Sequence, residues 1–291
     1  MPNLNPIGFN VLAWTAAVSE NLNPIADRLK TIGYDGVECF IDGSALTNYT
    51  AFGNHLSQLG LQSTSVMVVG PDTNPASESP QIRQAALDFI KSAIDRAQAM
   101  NATILCGPMH SAFATFTKRE PQTDEYRRSA EVLNAAGEYA RQAGLVLCPE
   151  ALNRFECYLC NTMEQLHHLI ELTGHPNVRA MFDTHHANME EKKFPAAIRT
   201  IAPVLAHVHI SENDRGTPGS GHVPWDDTFR TLAEVGFKGW MTIEAFSRND
   251  VDFANSIGVW REYNDPWDMA ENGYRFIREM QEKYASEVLV G

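Results

Sequence analysis

Two periodicities of apolar residues alternate along this chain, one typical of buried strands and one typical of amphipathic helices. Short apolar runs recur between longer stretches in which apolar residues are spaced three and four positions apart. Glycine punctuates the turns between them, as in TIGYDG and AGLV. Eight strands are predicted at 7–13, 36–41, 62–69, 103–109, the apolar run that opens 145–156, 178–183, 205–211 and 240–246.

A helix is predicted after each strand, and no composition break resembles a linker. This alternation predicts an α/β fold, a single (β/α)8 TIM barrel spanning residues 1–291, with its active site at the C-terminal ends of the strands. A doubly wound sheet is the competing fold, but it usually has a glycine-rich turn after strand one, and FNVLAW has none. The helices are predicted at 22–32, 52–59, 81–100, 123–143, 162–172, 196–201, 229–235 and 269–285.

The predicted loops differ in length on the two ends of the barrel. Those after strands three, four, seven and eight are long, whereas the helix-to-strand turns are short, which is how such barrels separate function from stability. The loop after strand eight is rich in aromatic residues, and we expect it to fold over the mouth as a lid. Its aromatic residues are Phe253, Trp260, Tyr263 and Trp267.

Four polar residues occur at corresponding places near the ends of successive strands. Glu150 follows the apolar run of LVLCPEALNRFE, and Asp183, His209 and Glu244 follow at intervals of 33, 26 and 35 residues, about one strand-helix unit each. Strand alternation lets all four point into the barrel. Singly, each has an ordinary structural explanation, such as a helix cap, a loop salt bridge or a core histidine. Together they predict a divalent metal site.

The type of ligand indicates the chemistry of this site. Three carboxylates with one imidazole suit Mn²⁺, or alternatively Co²⁺ or Mg²⁺, better than a structural zinc ion. Such an ion would polarise a substrate carbonyl and stabilise an enediolate formed by proton removal beside it. Glu150 and Glu244 come from strands five and eight, so they can flank a sugar carbon from two faces as catalytic acid and base.

Composition narrows the possible partners. The chain is 44% hydrophobic and 20% charged, which is ordinary for a globular protein, and its net charge of −13 argues against a nucleic-acid partner. No apolar run is long enough for a membrane span, and the N-terminus lacks a signal-peptide pattern, so we expect a cytoplasmic protein without a membrane partner. Five scattered cysteines disfavour a disulfide framework, and the C-x-x-C of Cys157 and Cys160 is a weak signal alone.

Six motifs in the second half of the chain are ALNRFE (151–156), FDTHHANMEE (182–191), HVHISENDRG (207–216), GHVPWDD (221–227), IEAF (243–246) and GVWR (258–261). Together they resemble the ketose 3-epimerase family, the D-tagatose, D-allulose and L-ribulose 3-epimerase branch of the xylose isomerase-like barrels. The resemblance spans most of residues 145–278 and is mainly one of pattern before residue 120.

The resemblance implies roles for individual residues. It assigns metal binding to the four residues identified above, with Glu150 and Glu244 as the acid/base pair. It implies that Glu156, His186 and Arg215 hold substrate oxygens, and that Trp14 and Phe246 pack along the sugar. It also implies a small-molecule sugar substrate and a homodimer or homotetramer.

Two departures from the family pattern concern the substrate. His185 stands where the family commonly has an aromatic residue, and the loop MHSAF, with His110 and Phe113, stands where the family usually carries a tryptophan. These departures affect the identity of the sugar more than the reaction.

The leading hypothesis is an isomerase that inverts C3 of a free ketose through a metal-bound cis-enediolate. Alternatives with the same site are an aldose-ketose isomerase and a lyase acting on a 3-keto-glycoside. A metal-dependent nuclease would need several metals and a basic groove, which the net charge disfavours. A non-catalytic sugar-binding barrel is disfavoured because buried acids beside a metal are costly without a role.

Overall fold

Eight parallel strands form one sheet. A computed structural model describes residues 4–288. The sheet order is β5-β4-β3-β2-β1-β8-β7-β6, and the predicted strand in every unit is confirmed. The strands are β1 (Ile7–Asn10), β2 (Gly36–Phe40), β3 (Gln62–Val66), β4 (Ala102–Gly107), β5 (Val146–Pro149), β6 (Ala180–Asp183), β7 (Leu205–Ile210) and β8 (Trp240–Ile243).

The sheet closes on itself between its two end strands. A parallel bridge joins Leu147 of β5 to Val178, just before β6. The Leu147 N–H also donates to the Asn177 carbonyl at 2.8 Å, and the Arg179 N–H donates to the Leu147 carbonyl at 2.8 Å. The predicted (β/α)8 barrel is therefore confirmed, with its seam at a short β5–β6 pairing.

Helices surround the barrel, and two of them were not predicted. Short helices α6 and α9 lie within the segments that follow β6 and β8, and the segment after β8 is therefore a helix-containing cover rather than a plain loop. The helices are α1 (Asn23–Ile32), α2 (Leu46–Leu59), α3 (Pro80–Ala99), α4 (Thr123–Ala143), α5 (Met163–Thr173), α6 (Thr184–Glu190), α7 (Phe194–Ile201), α8 (Trp225–Glu234), α9 (Val251–Ser256) and α10 (Pro266–Val288).

Most predicted strands run past their observed C-terminal ends. The prediction for β8 extended to residue 246, whereas the strand ends at Ile243. Ala245 and Phe246 are nevertheless buried, because the chain continues over the mouth of the barrel rather than out to solvent. Apolar character alone does not separate the last strand residue from a buried loop residue.

The interior of the barrel is polar near its C-terminal end. Five polar side chains from the first, second, third and seventh strands are at most 2% exposed, namely Asn10, Glu38, Thr64, His207 and His209. An apolar cluster in the same barrel includes Val66, Ile104, Cys106, Cys148, Met181 and Trp240. Polar and apolar side chains therefore share the barrel interior.

Within the described residues, no helix combines the length and the hydropathy needed to cross a bilayer.

A close approach between α2 and the end of α3 gives a test of the packing. A Cβ on Gly53 would lie 2.7 Å from the Met100 Cα and 2.8 Å from its carbonyl oxygen, so backbone would have to move. We expect Gly53→Ala to lower the free energy of unfolding by about 1–3 kcal/mol through overpacking, although alanine normally favours a helix. Urea denaturation measures the change.

The matched control is Asn54→Ala, one residue further along α2 on its exposed side. It should leave stability unchanged or slightly higher. If Gly53→Ala is as stable as this control, the close approach is wrong.

Candidate active site

The four predicted metal ligands meet at the C-terminal mouth of the barrel. One ligand atom from each of Glu150, Asp183 and His209 lies within 4.8 Å of the others. The fourth residue, Glu244, places Oε1 3.4 Å from Nδ1 of His209. The register explains the convergence, because Asp183 pairs with His209 across β6 and β7, and Glu150 and Glu244 directly follow β5 and β8.

Two buried atoms at this point have no hydrogen-bond partner among the described residues. They are Oε1 of Glu150 and Nδ1 of His209. Asp183 Oδ2 and Glu244 Oε1 lie 3.5 and 3.4 Å from that Nδ1, but neither forms an aligned hydrogen bond with it. Buried polar atoms are rarely left unpaired, and oxygen and imidazole donors suit a divalent cation. The donor set therefore fits a metal ion.

The carboxylates at the site perturb one another. Burial and the negative charges of Asp183 and Glu244 raise the pKa of Glu150 well above its usual value. Burial would also raise the pKa of Asp183, but the positive charge of Arg215 outweighs it and holds that pKa well below its usual value. Buried like charges this close require positive charge beside them.

Arg215 supplies positive charge from the loop after β7. Its Nη1 donates to Asp183 Oδ2 at 3.1 Å, to Ser211 Oγ at 2.9 Å and to Glu244. The backbone at Arg215 is left-handed, with φ of 66°, and its carbonyl accepts from the Phe246 N–H at 2.9 Å. The guanidinium also lies over the Phe246 ring, 5.0 Å from its centroid. The strained backbone is thus held by the segment after β8.

A second polar group lies beside the first. The Asn153 N–H donates to Nδ1 of His186 at 3.1 Å, and the Asn153 amide donates to Oε1 of Glu156 at 2.9 Å. Nε2 of His186 lies 3.0 Å from Arg215 Nη2, which can only donate, and 3.6 Å from Glu150 Oε1. His186 and Arg215 therefore lie side by side at the site, next to Glu150.

These polar groups open into a cavity of about 220 Å³ whose other walls are largely apolar. Glu150, Glu244, Glu156, His186 and Arg215 all line it. Phe253 and Tyr263 from the segment after β8 also line it, as the predicted lid requires, but Trp260 is 71% exposed. The apolar walls include Leu12, Phe40, Val66, Phe113, Leu152, Phe246 and Val259.

Trp14 lies away from this cavity. Its ring packs against Phe9 and Trp267, with centroids 5.1 and 4.6 Å away, in the layer outside the barrel. The residue of this segment that lines the cavity is Leu12, because the chain turns through a short 3-10 helix directly after β1. A sugar contact by Trp14 gains no support from this arrangement, whereas Phe246 lines the cavity.

The two departures from the family motifs occupy different environments. His185 lines the cavity and contacts the Glu212 carbonyl through Nδ1 at 3.2 Å, and burial lowers its pKa to about 4. His110 is wholly buried behind the cavity, where Nε2 donates to the Glu150 carbonyl at 2.8 Å. His185 is thus able to meet a substrate, whereas His110 holds the end of β5.

Comparison with known proteins identifies the family. The sequence-family model for the xylose isomerase-like TIM barrel matches residues 26–280 of this chain. D-psicose 3-epimerase from Ruminiclostridium cellulolyticum is 30% identical over 245 residues, which are 82% of this chain and 83% of that protein. Ketose 3-epimerase from Arthrobacter globiformis is 29% identical over 279 residues, 94% of this chain and 96% of that protein. The chain belongs to the ketose 3-epimerase branch of the xylose isomerase-like TIM barrels. It is an isomerase.

Solved structures agree with this placement in fold. A structure of L-ribulose 3-epimerase superposes with a TM-score of 0.91 at 24% identity, covering 99% of this chain and 98% of that one. A structure of D-psicose 3-epimerase in the presence of D-fructose superposes with a TM-score of 0.87 at 25% identity, covering 96% and 99%. The whole barrel of this epimerase-family chain is therefore shared.

Sequence reasoning missed two buried acids that support the site. Glu38 of β2 is fully buried and contacts His209 from below, with Oε1 2.8 Å from its Nε2. Glu212, which follows β7, is also fully buried and organises the loop that carries Arg215. The available signal was an acid inside or directly after an otherwise apolar strand, in GVECF and HVHISEND.

The two C-x-x-C thiols are free and buried, and burial raises the pKa of both Cys157 and Cys160. Such thiols are unreactive at neutral pH.

Glu212 provides a test of how this loop is held. Its two oxygens accept from the N–H groups of Asn213, Gly219 and Val223 and from the Trp225 indole at 2.9–3.2 Å. Because all four partners donate, a glutamine would place its NH₂ against two of them. We expect Glu212→Gln to lower the free energy of unfolding by about 1–3 kcal/mol, measured by urea denaturation.

The control is Glu234→Gln, which removes an exposed ion pair with Arg199. That change should have little effect, because exposed ion pairs contribute little. Equal stability of the two variants would contradict the role of Glu212.

Proposed function

We propose that this protein inverts C3 of a free ketose through a cis-enediolate, with Glu150 and Glu244 as the acid/base pair. The observation that carries the proposal is their placement. Both carboxyl groups line one cavity, come from β5 and β8, and lie beside the same cation-binding donor set. The named activities of the D-psicose and ketose 3-epimerase relatives agree with this chemistry.

Epimerisation needs one group to remove the C3 proton and another to return a proton on the opposite face. Glu150 lies next to His186, with Oε1 3.6 Å from Nε2, whereas Glu244 faces Arg215 and His209. The reaction is reversible, so the two carboxyl groups exchange roles with the configuration of the substrate.

Glu150, Asp183, His209 and Glu244 would hold the divalent cation, most simply Mn²⁺, with Co²⁺ or Mg²⁺ as alternatives. When bound, such an ion polarises the substrate carbonyl and stabilises negative charge on oxygen. The chain itself orients the sugar. His186, Arg215 and Glu156 line the cavity and offer polar groups to the sugar oxygens, and the Phe246 ring offers an apolar surface to the sugar carbons.

Oligomerisation belongs to the same proposal. We expect a homodimer or homotetramer, and the exposure of Phe155 and Trp260, at 73% and 71%, supports a covering partner surface. Light scattering of the purified protein measures the mass.

Replacing either acid tests the mechanism. Glu150→Gln and Glu244→Gln should each lower the epimerisation rate by about 10²–10⁴-fold, because each removes one proton-transfer group. Incorporation of deuterium at C3 from D₂O, followed by NMR with D-fructose or D-tagatose, should be lost in the variant that lacks the base facing the C3 proton. The control Glu190→Gln alters a carboxylate that pairs with Arg154 outside the cavity, and it should retain exchange.

Retained C3 exchange in both active-site variants would refute the assignment. Product analysis with D-fructose, D-tagatose and a 3-keto-glycoside separates the C3 epimerase from an aldose-ketose isomerase and from a lyase.

Metal removal tests the cation site directly. After chelation the activity should be lost, and Mn²⁺ should restore it with one ion per chain. At a free Mn²⁺ concentration of 100 times Kd, binding should raise the free energy of unfolding by about 2.7 kcal/mol. Asp183→Asn should remove most of this stabilisation, because it deletes a buried charged donor. Full stabilisation of Asp183→Asn by Mn²⁺ would place the ion elsewhere.

A further inference from the structure

We propose that Glu38 is a positioning residue for the cation site, because its carboxylate accepts the Nε2 proton of His209 and turns the Nδ1 lone pair towards the site. This inference rests on the proposed function, in which His209 binds a divalent cation. It adds a residue from the opposite side of the barrel to a site built by β5 to β8.

The first step is the geometry of the imidazole. Oε1 of Glu38 lies 2.8 Å from Nε2 of His209, and both side chains are fully buried. A carboxylate oxygen accepts, so Nε2 donates and the neutral ring carries its proton there. Nδ1 is then an unprotonated donor atom, and it is the atom that lies near Asp183 and Glu244 without a hydrogen-bond partner.

The second step is the rigidity of Glu38 itself. The Asn10 amide donates to Oε1 at 3.0 Å, the Thr64 hydroxyl donates to Oε2 at 2.9 Å, and the Cys106 thiol contacts Oε2 at 3.4 Å. These partners come from β1, β3 and β4. The carboxylate therefore has a fixed orientation. Through Glu38, strands β1 to β4 fix the ring plane of His209.

The third step is to compare this role with direct ligation by Glu38. Ligand atoms of Glu38, Cys106, His207 and His209 lie within 4.8 Å of one another, as a second cation site would require. However, the Glu38–His209 separation of 2.8 Å is that of a hydrogen bond, and Asn10 and Thr64 already donate to the carboxylate. The geometry favours a carboxylate–histidine–metal arrangement with one ion.

The decisive variant is Glu38→Gln. A glutamine keeps the shape of Glu38 but is neutral and has one acceptor oxygen in place of two, so the proton on Nε2 of His209 loses its charged acceptor. We expect Mn²⁺ to bind about 10–100-fold more weakly in calorimetric titrations of the substrate-free protein. At saturating Mn²⁺, KM for the ketose should be close to the wild-type value, because the groups that contact the sugar are unchanged.

A second variant covers the case in which Glu38→Gln fails to fold. Thr64→Val keeps the shape and removes one hydrogen bond to Glu38, so Mn²⁺ binding should weaken about threefold to tenfold. Ser65→Ala is the control, because it removes a buried hydroxyl of β3 that has no hydrogen-bond partner among the described residues. Its Mn²⁺ affinity should match wild type. Circular dichroism of the metal-free proteins verifies that each variant is folded.

The outcomes separate this inference from the proposed function. Wild-type affinity in folded Glu38→Gln, or in Thr64→Val where Glu38→Gln does not fold, overturns the positioning role while leaving the cation site intact. Two tightly bound ions per wild-type chain also overturn it, since Glu38 would then be a ligand. If the wild-type protein binds no divalent ion, the proposed function fails and this inference falls with it.

Discussion

The structure depends on burying several carboxyl groups around one imidazole, that of His209. Glu38 lies on one side of His209, and Glu150, Asp183 and Glu244 lie on the other. Each buried carboxylate loses its hydration, and the negative charges repel one another. The site is therefore arranged to attract positive charge.

The barrel holds four of these charged or polar side chains in place in two different ways. Asp183 and His209 lie in paired strands, and Asp183 Oδ1 also accepts from the His185 and His186 N–H groups at the start of α6. This leaves Oδ2 for the site. Glu150 and Glu244 lie just beyond the ends of their strands. The Glu150 N–H donates to the Gly107 carbonyl of β4, and the Glu244 N–H donates to the Ile210 carbonyl of β7. Rigid strands hold two donors, and anchored strand ends hold the other two.

Sequence reasoning recovered what has a strong local signal. The alternation of elements predicted the barrel, and one acid or histidine per unit predicted the four residues that meet at its mouth. It missed α6 because Asp183 appeared only as a strand end, although it also caps that helix. It missed Glu38 because β2 lies far along the chain from the other site residues, and only barrel closure brings Glu38 to His209. Trp14 was predicted to contact the sugar from its position in the family pattern. The turn after β1 instead directs Leu12 into the cavity.

Arg215 links the four-residue donor cluster to His186, and the chemistry of its side chain explains why an arginine stands there. Its Nη1 contacts Asp183, Ser211 and Glu244, while Nη2 reaches His186 at 3.0 Å. A lysine ammonium is a point charge on a flexible stem and lacks a second, fixed nitrogen. The planar guanidinium also lies over Phe246. One group thereby balances buried negative charge, contacts His186 at the cavity and ties the loop after β7 to the segment after β8.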